Sequence, residues 1–178
     1  MKGIVFNLLE HVTSEAHGEN AWDDVLESAD LDGAYTSLGS YPDKDFFRLV
    51  RASSDAFDAT PDTVIRDFGR SALPLLATSY PGFFTPHTTT RGFLLTLNDI
   101  IHPEVRKLYP GADVPDFEMS AMPSGGLRMC YGSPRKLCAF AEGLIEGAAA
   151  HYGEAVTIRQ PRCMHRGDEM CDLEIDFA

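Results

Sequence analysis

The sequence predicts an α+β fold, and three observations lead there. Apolar residues recur at helical spacing up to about residue 115, strand-like segments take over beyond it, and one long alanine-rich helical stretch interrupts those strands. Helices therefore come first, followed by a mostly antiparallel sheet of about four strands with a long helix. A chain of 178 residues, 44% hydrophobic and 24% charged, fits one soluble domain spanning 1–178. At this size roughly 70% of the surface of the unfolded chain is buried on folding, so a core forms without disulfide staples and leaves volume for a guest.

The first helix is read from Ile4, Val5, Leu8, Leu9 and Val12, whose spacings of three and four make one stripe. Asp23 and Asp24 favour the start of a short second helix through Leu26 and Ala29. Pro42 and Asp43 precede the apolar Phe46, Phe47, Leu49 and Val50. A further helix starts sharply at Thr60-Pro61-Asp62, an N-cap followed by proline at the first helical position. Its face carries Val64, Ile65, Phe68, Ala72 and Leu75, and Pro74 is expected to bend it. After Gly82 and Pro86, residues 93–102 are strongly apolar and helical in pattern. Pro103 disfavours the α region at its predecessor, so His102 falls at a kink or junction, with a fresh turn over 104–109. Strands are read over 116–122 and 126–131, about a Ser124-Gly125-Gly126 turn, and over 155–160 and 172–177; the long helix covers about 134–152.

Charge and motif content narrow the function. Fifteen Lys and Arg against 27 Asp and Glu give a net charge of −12, which argues against nucleic acid or an anionic membrane as partner. No run of 18 apolar residues occurs and the opening segment turns polar too soon for a signal peptide, so the expected location is the cytoplasm. Without a nucleophile elbow, a phosphate loop or an HExxH helix, an enzyme is not expected. The four cysteines, Cys130, Cys138, Cys163 and Cys171, sit in the last third and read as reduced thiols or metal ligands.

Two groups carry chemistry. His102 lies on the flank of the apolar stripe Leu94, Leu97, Ile101 and Val105, and a buried neutral imidazole wants a hydrogen bond or a metal. Alone, it reads as a satisfied core histidine. In Tyr131-Gly132-Ser133-Pro134-Arg135, extended backbone puts positions i, i+2 and i+4 on one face, so two hydroxyls and a guanidinium converge as a carboxylate requires. Spacing alone still favours a strand-end tyrosine and a surface arginine.

The opening Met1-Lys2-Gly3-Ile4-Val5-Phe6-Asn7, the stretch 101–112 beginning Ile101-His102-Pro103, the following Pro115, and the Tyr-x-Ser-x-Arg of Tyr131, Ser133 and Arg135 change that balance. Together they resemble the haem-nitric oxide/oxygen binding (H-NOX) family, which includes the haem domain of soluble guanylate cyclase, and the resemblance covers essentially the whole chain. It implies haem b buried between a helical subregion of about 1–60 and the remainder of about 61–178. His102 would be the iron ligand, Tyr131, Ser133 and Arg135 would hold the propionates, and Pro115 would press on the macrocycle. Val5, Leu9 and Leu144, with Ile4 and Leu8, are expected on the pocket wall. Where oxygen-holding members carry a distal tyrosine, this chain has Phe140, which has no donor. The implied ligand is nitric oxide, with carbon monoxide as a second gas, and oxygen is excluded.

The implied signal is rupture of the iron–His102 bond, passed to a separate sensor histidine kinase or to a cyclic-di-GMP synthase or phosphodiesterase. Some bacterial members also hold zinc, which here would take Cys138, Cys163 and Cys171. The resemblance places a histidine shortly before Cys163, where this chain has Arg159, Gln160, Pro161 and Arg162, so His165 is left to complete the set. The alternative is a haem-free, vinyl-reductase-like small-molecule or zinc/redox sensor, suggested by the terminal Cys163-x3-Gly167-x3-Cys171 pattern. His102 with Tyr131, Ser133 and Arg135 separates the two, since only the haem reading needs them.

Overall fold

Thr60 begins the longest helix as expected: its hydroxyl accepts from the Thr63 amide at 3.2 Å, and Pro61 follows at the first helical position. In the computed structural model, which describes residues 1–178, that helix is α4 (Pro61–Ser79), preceded by α1 (Gly3–His17), α2 (Ala21–Ala29) and α3 (Asp43–Ala56). Short helices α5 (Pro81–Phe84) and α6 (Thr90–Leu94) follow, and a π-helical turn (Leu97–Ile101) leads into α7 (His102–Leu108). The remainder is β1 (Phe117–Ala121), β2 (Leu127–Tyr131), α8 (Cys138–Tyr152), β3 (Val156–Arg159), a 3-10 turn (Met164–Arg166) and β4 (Cys171–Phe177).

The strands form one antiparallel sheet in the order β1-β2-β4-β3, with Tyr131 of β2 facing both Phe117 of β1 and Cys171 of β4. Alternation decides which face is covered: Leu127, Met129 and Tyr131 are buried while Arg128 and Cys130 between them are not. One apolar body packs this sheet face against α8, α6 and the end of α4 through Leu73, Phe93, Leu127, Met129, Ile145 and Leu173. A second gathers α1, α2, α3 and the first half of α4 around Phe6, Trp22, Phe46, Leu49 and Phe68. Helices α4 and α8 belong to both. Their backbones touch: a Cβ on Gly143 would overlap the Arg66 carbonyl, and one on Gly69 would lie 2.6 Å from the Phe140 carbonyl oxygen.

The structure departs from the expected elements in two informative places. Residues 97–101 are not continuous α-helix, because the Ile101 and His102 amides reach back five residues to the carbonyls of Thr96 and Leu97. Asn98 clamps this turn to β1, donating to the Phe117 carbonyl at 2.6 Å and accepting from the Phe117 amide at 3.0 Å. The long helix starts at Cys138 rather than 134, since Lys136 takes a positive φ of 50° and its amide closes a turn on the Ser133 carbonyl.

Candidate functional site

Between the two apolar bodies lies a cavity of about 410 Å³, within the usual range for small-molecule sites (roughly 300–1,000 Å³). Of its 36 lining residues 28 are hydrophobic, so whatever fills it must be largely apolar. Helix α1 supplies Ile4, Val5 and Leu8, α4 supplies Phe68, Leu73 and Leu76, and α8 supplies Phe140, Ala141, Leu144 and Ile145. His102, at the start of α7, lines the opposite segment with Leu97, Ile101 and Pro115.

The imidazole of His102 is the chemical focus of this wall. Its Nδ1 is buried and has no hydrogen-bond partner, a costly arrangement for a polar atom in an apolar site. Burial pushes its pKa below the usual histidine value, against an upward pull from the Pro115 carbonyl. The ring is therefore neutral near pH 7 and keeps a lone pair to offer.

At the polar rim, Arg135 donates from Nε to Asp43 at 2.7 Å and from Nη1 to Asp113 at 2.9 Å. Asp43 is also gripped by the Met1 ammonium at 2.7 Å. Burial pushes the Asp43 carboxyl up, yet the bonds from Met1 and Arg135 prevail and hold it below the usual range. The Tyr131 hydroxyl accepts from the Leu137 amide at 2.9 Å, and Ser133 and Arg135 line the cavity beside it. Burial pushes the Tyr131 phenol up, so it stays protonated and can donate to an anion.

The Haem-NO-binding family model matches residues 2–160. The chain belongs to this family. Its fold is the H-NOX fold: an H-NOX protein from S. oneidensis in the Fe(II)NO ligation state is 31% identical, with a TM-score of 0.93 over 100% of this chain and 99% of that one. An H-NOX domain from Shewanella oneidensis in the Fe(II)CO state is also 31% identical, with a TM-score of 0.90 and the same coverage. The unliganded Fe(II) H-NOX protein from K. algicida is 26% identical, with a TM-score of 0.89 over 100% of this chain and 97% of that one. H-NOX is a sensor domain and not a catalytic one.

The residues of this H-NOX chain fit a haem. An iron would complete the unpartnered imidazole, an apolar macrocycle matches the lining, and two propionates match a rim that carries a guanidinium and two hydroxyls. No cysteine lines the cavity. Of the residues named from the sequence, His102, Pro115, Tyr131, Ser133, Arg135, Phe140, Val5 and Leu144 all line it.

Leu9 does not, and is corrected: it is buried in the second apolar body with Phe6 and Trp22. On a helical wheel Ile4, Leu8 and Val5 cover one face of α1, while Leu9 falls about 140° from Ile4, towards Phe6 and the bundle. His165 is corrected as well. Its Nε2 lies 2.8 Å from the Lys136 carbonyl oxygen on the exposed 3-10 turn, so it does not join the cysteines. Cys138, Cys163 and Cys171 do come together, with their sulfur atoms within 4.8 Å of one another.

Sequence reasoning missed three participants. Tyr80 and Tyr109 line the cavity with their hydroxyls in contact, and burial together with Tyr80 pushes the Tyr109 phenol up to about 12. Asp43, read only as a helix-start residue, bridges the chain's first ammonium to Arg135. Nothing in local periodicity signals either pairing, because the partners are 29 and 92 residues apart.

Proposed function

We propose that this H-NOX chain is a haem-based sensor that binds nitric oxide, excludes oxygen and reports to a separate partner protein. The observation that carries the reading is the buried, unpartnered Nδ1 of His102 on the wall of an apolar cavity. Haem b would be held by His102, with Tyr131, Ser133 and Arg135 at the propionates; the absence of a lining cysteine favours a non-covalent group. Bound there, haem would supply a ferrous iron able to take a diatomic gas, with the His102 imidazole as its protein ligand. The S. oneidensis relatives with Fe(II)NO and Fe(II)CO support both gases as ligands.

The chain's own residues define the rest. Phe140 stacks on Phe68 with ring centroids 5.0 Å apart and offers no hydrogen-bond donor to a bound gas, which disfavours the partly negative dioxygen. Pro115, which lines the cavity, would press on the guest. His102 would anchor α7, which contains no buried residue and follows a π turn tied to the sheet by Asn98. Release of the imidazole frees that segment to shift against β1, a two-state element biased by one ligand. The partner is a sensor histidine kinase or a cyclic-di-GMP synthase or phosphodiesterase, reached from the cytoplasm; a surface of net charge −12 suits a basic patch on it.

The test is an absorption titration of the haem-loaded ferrous protein. The expected result is a Soret band that shifts with nitric oxide and with carbon monoxide and shows no oxygen adduct in air. A protein that stays colourless when supplied with haem, or a His102→Gly variant that answers nitric oxide as the parent does, overturns the proposal.

A further inference from the structure

The family resemblance implies zinc at the cysteines, and the residues present do not fit it. Structural zinc is almost always four-coordinate, with sulfur, imidazole or carboxylate ligands. Three sulfurs are in place: Cys138 and Cys163 lie 3.9 Å apart, as do Cys163 and Cys171, and all three are buried. An ion bound to three sulfurs at about 2.3 Å spaces them by roughly 3.8–4.0 Å, so the cluster is already sized for one. The fourth position has no ligand. His165 is engaged with the Lys136 carbonyl, and the side chain that approaches instead is Gln160. Its amide nitrogen is buried and has no hydrogen-bond partner.

We infer that Cys138, Cys163 and Cys171 form a three-coordinate, all-sulfur site for a soft ion, cuprous copper, in place of the four-coordinate zinc site. Thiolate sets select soft ions, and Cu(I) is content with three sulfurs where zinc is not. The surroundings donate to sulfur rather than add a ligand. Cys138 is the first residue of the 15-residue helix α8, whose N-terminal dipole favours a thiolate. The Met164 amide donates to the Cys171 sulfur at 3.3 Å. Each ligating thiol gives its proton to solvent and no electron moves, because copper enters already reduced. The site lies directly behind the cavity rim: Cys171 is the cross-strand partner of Tyr131, and Leu137, next to Cys138, holds the Tyr131 hydroxyl.

The experiment titrates the reduced, full-length chain under anaerobic conditions with Cu(I) against a chromophoric Cu(I) chelator, and with Zn(II) against a zinc indicator. X-ray absorption then reads the coordination of each. The expected result is one Cu(I) per chain bound to three sulfurs with no nitrogen, and zinc held about a hundredfold more weakly than by a Gln160→His variant. Serine at Cys138, Cys163 or Cys171 should cost about a hundredfold or more in Cu(I) affinity, whereas Cys130→Ser and His165→Ala should change nothing. Zinc held as tightly by the parent as by Gln160→His, a Cu(I) centre with fewer than three sulfurs, or a loss of binding in His165→Ala overturns the assignment. The Gln160 and His165 variants keep the test decisive if a serine variant fails to fold.

Discussion

At the scale of single residues, the proposed function makes Phe140 the residue that would set gas selectivity. A Phe140→Tyr variant adds a donor to the cavity wall, and one hydrogen bond of about 1 to 1.5 kcal/mol should favour bound oxygen about tenfold. The expected outcome is a persistent ferrous-oxygen spectrum in air where the parent shows none. Asp172 is a second point of leverage, fully buried on β4 and bonded by Arg162 at 2.8 Å, Arg128 at 2.6 Å and the Cys130 thiol at 3.1 Å. Arg162 above all, with Cys130 and Arg128 and against burial, brings its carboxyl down to about 2. A depressed carboxylate stabilises the fold above its unfolded pKa, near 3.9, and that stability is lost as pH falls through about 2. Both arginines are half-exposed, so the contribution is about 1 to 2 kcal/mol. Urea midpoints measured between pH 5 and pH 2 should fall more steeply for the parent than for Asp172→Asn.

The same scale shows what single residues reveal in a sequence. His102 and the Tyr131, Ser133 and Arg135 trio stood out by chemical type and spacing, but those alone favoured a core histidine and a surface arginine, and it was the family resemblance that turned the balance; all four line the cavity. Leu9 was misplaced because α1 is apolar on two adjacent faces, and periodicity cannot say which face meets a cavity and which a bundle. His165 was misplaced because adjacency to Cys163 says nothing about direction: the 3-10 turn carries the imidazole towards Lys136.

At the scale of elements, α4 and α8 approach so closely that their glycines are obligatory. Gly143→Ala would drive a methyl group into the Arg66 carbonyl, which no side-chain rearrangement relieves. A loss of about 1 to 3 kcal/mol is expected, measured as a lower denaturation midpoint with an unchanged denaturant slope. The order of helices and strands was readable from period and punctuation, since Thr60-Pro61 and the turn at Ser124-Gly125-Gly126 are local signals. The π turn was not. Its apolar pattern is that of an α-helix, and only the five-residue reach of the Ile101 and His102 amides tells them apart. The late start of α8 is also a tertiary matter, because the Leu137 amide finds its partner on β2.

At the scale of the molecule, the two apolar bodies face each other across the cavity, and a guest between them replaces lost contact with packed surface. A ligand that binds only the folded chain stabilises it by mass action, about 4 kcal/mol at a thousand times its dissociation constant. The haem-loaded protein should therefore melt about 10 °C above the haem-free form. Scanning calorimetry of the two forms checks this, and equal melting temperatures would count against a guest seated between the bodies. The order of periodic segments made the α+β class legible, and chain length the room for a guest. The partition of the core was not, since it depends on which buried side chains gather across more than a hundred residues, as Phe6 and Ala139 do in the second apolar body.

The clasp of α4 on α8 also constrains what can reach the outside of the protein. With main chains in contact, ridges cannot slip past grooves along that seam, so sliding of one half over the other is blocked. Pivoting about it remains free. Any displacement of one half against the other would then be a rotation about the seam rather than a translation along it.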